Sequence, residues 1–435
     1  MRRMILACVL LVMSAAPCHV LAAEPANPIR KYLNLDLMLA QAGSSQGPAV
    51  PPSGVLPLSI RDSVVLALKN NLDIAVQGYN PPQQLQALIS AEANFDPSAF
   101  LEFQQSDDNA PPGTQIILGN RVASDFWNYN AGVRQKLPLG GTYELRFNNQ
   151  YNNLFSLGVK LFNSTLGLTV TQPLLKNFGV EANYANIRIA ANNQSISVEQ
   201  LRLKVSDVVT NVLTDYAELI FARQNLEVQN KSLQLAKDLV ALNTARVRAG
   251  VAAPVEVTQA EAQYAAGVQN VILAEKAVKD AEDALKVILN LRVSGGWAQE
   301  IQPTDSLGFQ PISPNLDESI QKALENRYEY KSAKLDIDNK ELSVRVARNQ
   351  LLPDLAFTGS VNTQGAGEVY GSAISQMGSS HFISYSAGVI LTVPLGNRGP
   401  RSNYVNASLW KIKPRPHSRT SNYRSYSRSG RECAE

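Results

Sequence analysis

The sequence predicts a mostly α-helical protein with a β-barrel part, laid out as two copies of one helix–strand–long-helix plan. Three observations carry this: a repeat at constant offset, stretches with a period of two, and heptad stripes along a very long helical run. The repeat comes first. "LSIRDSVVLALKNNLDI" (Leu58–Ile74) lies over "PNLDESIQKALENRYEY" (Pro314–Tyr330) at an offset of 256. That offset matches Ser63 with Ser319, Ala67 with Ala323, Leu68 with Leu324 and Asn70 with Asn326, and carries Ala91 onto Ala347 and Pro97 onto Pro353. Each copy opens on a capping residue, Ser59 or Asn315, and continues with apolar spacing of three and four.

Strands follow each copy. "GLTVTQPLLKNFG" (Gly167–Gly179) resembles "GVILTVPLGNRG" (Gly388–Gly399). Leu166, Leu168 and Val170 alternate in the first, as do Val389, Leu391 and Val393 in the second, so each strand has one apolar face. "TYELRFNNQY" adds Tyr143, Leu145 and Phe147 in the same pattern. A soluble sheet packed on helices would account for the strands taken alone.

A helix predicted over Val180–Val247 would reach ~100 Å at about 1.5 Å per residue. Leu219, Leu226, Leu233 and Val240 recur along it every heptad. The return helix, Val255–Arg292, has one stripe of Val257, Tyr264, Val271, Val278 and Leu285. Its second stripe is Ala260, Gly267, Ala274, Ala281 and Ile288. Small residues on a sustained heptad seam mean closely packed helices. The return helix is too short to match the long one. A single first-repeat helix, Ser59–Ala93, stacked end to end with it would make up the length, although Pro81-Pro82 should kink or break it.

Between these helices lies Gly250-Val251-Ala252-Ala253-Pro254, flanked by Arg248 and Glu256. An ordinary exposed turn favours Asn, Asp or Ser. A tip this apolar is one that meets a partner, or one that packs against neighbouring copies of itself.

The first residues point to export. Arg2 and Arg3 precede the apolar run Met4–Ala16, and Val20-Leu21-Ala22 offers a cleavage point, the order of a secretory signal peptide. Residues 1–23 are read as that signal and 24–57 as an N-terminal extension. Pro17 argues against lipid modification at Cys18. With Cys8 and Cys18 in the leader, only Cys433 remains, so no internal disulfide forms. No apolar run is long enough for a transmembrane helix, so entry into a membrane requires a β-barrel. A net charge of +3 makes no case for a nucleic-acid partner.

In order and doubled layout, these segments resemble the TolC-type outer-membrane efflux channel family. The carriers are "LSIRDSVVLALKNNLDI", "LTVTQPLLKNFG", "RVRAGVAAPVEVTQAEAQ" and "ALKVILNL", with the echoes "LDESIQKALENR" and "LTVPLGNRG". The resemblance implies a homotrimer in contact with outer-membrane lipid. In it each protomer gives four strands to a shared barrel and long helices to a tunnel across the periplasm. It further implies tips that dock on a periplasmic adaptor joined to an inner-membrane pump, in a tripartite efflux or type I secretion system. On that reading Arg248, Gly250, Val251, Ala252, Ala253, Pro254 and Glu256 form an adaptor-facing tip. Pro173, Gly179, Pro394 and Gly399 then mark the strand–helix junctions. The alternating stretch Tyr129–Tyr151 exceeds the four-strand plan and reads as an additional hairpin.

The first repeat is assigned to 58–313, with its tip at 249–254, and the second to 314–403. The residues after Pro394 should begin a second long helix, and "NYVNASL" starts like one, but the copy then departs from the plan. "WKIKPRPHSRTSNYRSYSRSGRECAE" carries seven Lys or Arg against two Glu, two prolines and no heptad. Residues 404–435 are therefore read as an atypical basic tail arising from a frameshift or truncation, with the channel function impaired in this form. The other reading is a disordered tail that binds anionic lipid or nucleic acid.

No enzyme chemistry is expected. Of three histidines only His381 lies in the repeated region, and no HExxH, GxSxG, Walker loop or paired Cys occurs. No metal or cofactor is implied. The alternative function is a soluble periplasmic coiled-coil scaffold or adaptor, which predicts no barrel.

Overall fold

The computed structural model describes residues 54–110, 122–154, 159–291, 297–306, 308, 311 and 314–412. The expected signal peptide, Cys18, nearly all of the 24–57 extension, Arg292 and the tail beyond Ile412 lie outside the described residues.

Strand β1 (Val55–Leu58) leads into α1 (Ile60–Asn70), α2 (Leu72–Gln77) and α3 (Asn80–Glu92). Four strands follow: β2 (Ser98–Ala110), β3 (Val122–Lys136), β4 (Thr142–Leu154) and β5 (Val159–Pro173). The long helix α4 (Val180–Arg248) returns as α5 (Pro254–Ile288). The second half runs β6 (Glu300–Pro303), α6 (Leu316–Asn326), α7 (Tyr328–Asn349), β7 (Asp354–Gly367), α8 (Tyr370–Gly378), β8 (Ile383–Thr392) and α9 (Arg398–Ile412).

The repeat is visible residue for residue. Helices α1 and α6 occupy equivalent positions at the 256 offset, as do the first residues of β2 and β7. Both helices are capped alike: Ser59 Oγ accepts from the Asp62 amide at 3.1 Å, and Asn315 Oδ1 from the Asp317 amide at 3.1 Å. A side-chain oxygen there satisfies a first-turn amide that has no helical partner.

The first-repeat helix is not continuous. It breaks at Asn71, whose backbone leaves the helical region and whose side chain caps α2 through the Asp73 and Ile74 amides. The second repeat breaks at the equivalent Arg327. The helix is interrupted again at Gly78-Tyr79, directly before Pro81 and Pro82, where the prolines predict a break. They sit in the first turn of α3, where a missing amide costs nothing.

Helix α4 is 69 residues long and organises everything else. Its first part packs against α2 and α3, where Phe95 stacks on Tyr184 at 5.0 Å and Lys204 pairs with Asp73 at 2.7 Å. Its remainder packs against α5. The two partners meet end to end at an asparagine clasp: Asn71 Nδ2 donates to the Ile288 carbonyl and Asn290 Nδ2 to the Asn70 carbonyl, both at 3.0 Å. The stacking expected from helix lengths is therefore present, but α2 and α3 supply it, while α1 turns aside.

Where α1 turns aside, a compact core forms. Strands β1 and β6 pair in parallel, and Leu56, Leu58, Ile301, Leu289 and Leu291 bury completely or nearly so beside Leu219 and Leu285. Tyr216 is buried there too. Its hydroxyl donates to the Leu58 carbonyl at 2.9 Å, and burial raises its pKa above the ordinary phenol value. Arg223 ties the same region, with Nη2 donating to Glu282 at 2.8 Å, Glu300 at 2.7 Å and the Ile301 carbonyl at 2.8 Å.

The strands form one antiparallel sheet of six, in the order β2-β3-β4-β5-β7-β8. The alternating stretch Tyr129–Tyr151 is a hairpin, β3–β4, inserted between β2 and β5. In the second half, α9 packs on α7, held by Lys411 Nζ to Glu341 Oε1 at 2.8 Å. That hydrogen bond keeps the Glu341 carboxyl below the usual carboxylate range. The first residues assigned to the atypical tail, 404–412, are thus helical and docked.

Candidate functional site

Three features stand where a conduit would need them: an apolar tip, two strand–helix elbows and a two-faced strand wall. The tip is a tight helical hairpin. The Val251 amide donates to the Arg246 carbonyl and the Gly250 amide to the Val247 carbonyl, both at 3.0 Å. This is a Schellman closure, which places the residue after the cap in the left-handed region. Gly250 fills that position, with φ of 75° and open space around it. Pro254 starts α5 at a position that needs no amide, and Asn243 Nδ2 reaches across to the Glu256 carbonyl at 3.3 Å.

The consequence is an exposed apolar surface. Val251 and Val255 are 69% and 58% exposed, with Arg248 and Ala253 exposed beside them and Ala252 half-buried. Behind the tip the seam closes as the heptads require: Ala260, Ala274 and Ala281 bury, and Gly267 lies against Leu233. Replacing Gly250 with Val should lower the thermal midpoint, because a β-branched residue in the left-handed region costs about 1–2 kcal/mol. Gly250→Asn should cost much less, and equal melting curves for the two variants would refute this account of the turn.

The first elbow runs from Pro173, the last residue of β5, to Gly179, the N-cap of α4. Gly179 has φ of 97° and donates its amide to the Leu139 carbonyl at 3.1 Å, so the β3–β4 turn is bonded to the helix start. Asn177, also left-handed, accepts on its carbonyl from Asn183 Nδ2 at 2.8 Å and takes the Asn349 side chain on its amide at 2.7 Å. The second elbow follows Pro394 and runs to Gly399, in the first turn of α9. Its left-handed residues are Gly396 and Asn397. Asn397 Nδ2 binds the Leu351 carbonyl at 3.0 Å. The asparagine before each long helix was the better signal, because it both tolerates positive φ and bonds locally.

The wall has two chemically different faces. Strand register puts Tyr143, Leu145, Phe147 and Tyr151 of β4 opposite Val170, Leu168, Leu166 and Phe162 of β5. The same face continues through Trp127, Tyr129 and Val133 on β3, Leu101 and Phe103 on β2, and Val361, Tyr385 and Val389 on β7 and β8. Leu101 is 89% and Tyr385 85% exposed. From Tyr143 to Tyr151 is about 27 Å of strand, or roughly 20 Å of height at a ~40° tilt, against an apolar band about 25 Å tall in outer-membrane barrels. At the end far from the long helices, α8 lies across this face. Gly365 and Gly367 leave room for it, and it covers the buried Ser164–Asn149 hydrogen bond of 2.8 Å. The opposite face carries Glu144, Arg146, Asn148 and Gln150 on β4, with Thr165 and Thr169 on β5.

Among the described residues no group of His, Cys, Asp and Glu is placed to hold a metal, and no helix is long and apolar enough to cross a membrane.

Comparison with known proteins agrees with this geometry. The family model described as outer membrane efflux protein matches residues 128–291 and 319–428. That match extends through much of the basic tail. The outer membrane efflux protein BepC of Brucella suis biovar 1 (strain 1330) is 24% identical over 235 residues, covering 54% of this chain. The chain spans about half of that relative, 48% of its length. Among solved structures, the outer-membrane channel OprN superposes with a TM-score of 0.56 at 16% identity, over 85% of this chain and 70% of its own. CusC does so with 0.55 at 13% identity, over 86% and 73%. At such identities the likeness is one of fold.

Proposed function

Because the chain belongs to the outer membrane efflux protein family, a family of outer-membrane channels and not of enzymes, we propose that it serves as the passive outer-membrane conduit of a tripartite efflux or type I secretion system. The protein sits in the outer membrane and extends into the periplasm. Three copies would assemble into the channel, with the strands as a shared barrel and the helices as the tunnel.

One observation carries the reading: a single six-stranded sheet with an apolar face, a polar opposite face and two edges, β2 and β8, unpaired among the described residues. Such edges are untenable in hydrocarbon unless other strands pair with them. A soluble scaffold or adaptor has no use for an exposed band of this kind. The tip at Arg248–Glu256 would meet a periplasmic adaptor, which would link it to an inner-membrane pump. Its apolar centre, with Arg248 beside it, suits an apolar partner surface.

The test is native mass spectrometry after detergent extraction of outer membranes, followed by planar-bilayer recording. A conducting trimer is expected; a monomer that carries no current would refute the channel reading. Val251→Asp should leave the trimeric state and conductance unchanged while abolishing export in cells that carry the cognate pump. Export at the unaltered level would remove the tip from the adaptor contact.

A further inference from the structure

The inserted β3–β4 hairpin changes the strand count, and with it the bore. Its strands are full members of the wall: β3 pairs with β2 from Ser98–Arg134 onward, and β4 pairs with β5 from Thr142–Thr171 to Leu154–Val159. They continue both faces without a slip, and their turn is bonded to the start of α4 through Leu139 and Gly179. A hairpin folded away from the barrel would need neither the shared register nor the apolar outer face.

Six strands are too few to close, since the smallest outer-membrane barrels have eight. We propose that three copies close a wall of eighteen strands, not the twelve implied by four per protomer, so that the hairpin sets the bore of the outer mouth. This rests on the trimeric channel reading. Barrel diameter grows roughly linearly with strand number, so at equal tilt the mouth is about half as wide again.

The hairpin also changes what the bore presents. The inner faces of β5, β7 and β8 offer Asn163, Thr165, Ser360, Asn362 and Ser386, with a charge at Asp354, the first residue of β7. The hairpin adds Arg134, Glu144 and Arg146. Arg146 Nε binds Glu144 at 2.6 Å, and its Nη1 lies 3.4 Å from Glu102 of β2. Its guanidinium stands 4.9 Å from the Phe100 ring, which covers Gly132. The cargo favoured is bulky and hydrophilic, passing a ring of paired charges in a wide mouth.

Two measurements test this. In a mature chain carrying Cys433→Ser, single cysteines at Phe147, Asn148, Leu168 and Thr169 are labelled with an environment-sensitive fluorophore in lipid vesicles. Labels at 147 and 168 should be quenched by lipid-borne nitroxide, and those at 148 and 169 by an aqueous quencher. Alternation at 168 and 169 without alternation at 147 and 148 would put the hairpin outside the wall and overturn the proposal. Alternation at neither pair would defeat the channel reading itself. Second, end-on electron-microscopy averages should show the strand ring shrinking by about one third when residues 122–154 are deleted, a cut that joins two loops at the same end of the wall. A folded deletion variant with an unchanged ring would overturn the eighteen-strand wall.

Discussion

Phe147→Arg is expected to remove the protein from the outer membrane, while Asn148→Arg, one residue away, leaves it there. Phe147 lies midway between Tyr143 and Tyr151 on the apolar face, opposite Leu166 on one side and Ala131 on the other. An arginine at the midplane of a lipid-facing strand costs about 2–4 kcal/mol. In a trimer that cost falls three times on one barrel, comparable with a whole domain's net stability of ~5–15 kcal/mol. Asn148 faces Thr165 on the polar side, where water solvates a guanidinium and the change should be close to neutral. The check is the amount of each variant in purified outer membranes, followed by urea unfolding in vesicles. Similar losses for the two variants would contradict the assignment of faces.

The second large effect is expected at Arg223. Its guanidinium neutralises Glu282, which is only 7% exposed, and also binds the Ile301 carbonyl. Removing one partner of a buried pair leaves the other charge uncompensated, at about 3–5 kcal/mol. Lys286 remains 3.7 Å from Glu282 and Arg223 is partly solvated, so Arg223→Ala should fall at the lower end, about 3 kcal/mol. The bond to Glu300 adds little, because that carboxylate is exposed. The double variant Arg223→Met, Glu282→Leu should recover much of the loss, since apolar replacement of a buried pair is often neutral. Helix melting by circular dichroism reads both. A double variant no better than Arg223→Ala would mean that the arginine acts through packing and not through charge.

The periodic features were legible in the sequence because periodicity is local. Alternation at Leu166, Leu168 and Val170 and the alanine seam at Ala260, Ala274 and Ala281 depend only on which face meets water, lipid or a neighbouring helix. The 256 offset carried the second half for the same reason. The apolar tip was visible because Gly, Val, Ala and Pro at an exposed turn contradict ordinary turn chemistry. What those residues could not announce was where the chain changes direction. The break at Asn71 arises because its side chain finds two amides and the Ile288 carbonyl, a contact with residues far along the chain.

The same distinction separates the rest. By itself the sequence determined the duplicated plan, the long heptad hairpin, the apolar strand faces and the apolar tip, since each follows from spacing, composition and local backbone preference. Only the tertiary structure decided that α1 leaves the stack to build a core with β1 and β6, and that the second elbow turns at Gly396 and Asn397. It alone decided where the additional hairpin expected at 129–151 goes, between β2 and β5 in the wall. Strand partners and hinge positions are settled by contacts between distant segments, and neither periodicity nor composition records which distant segment a strand will meet.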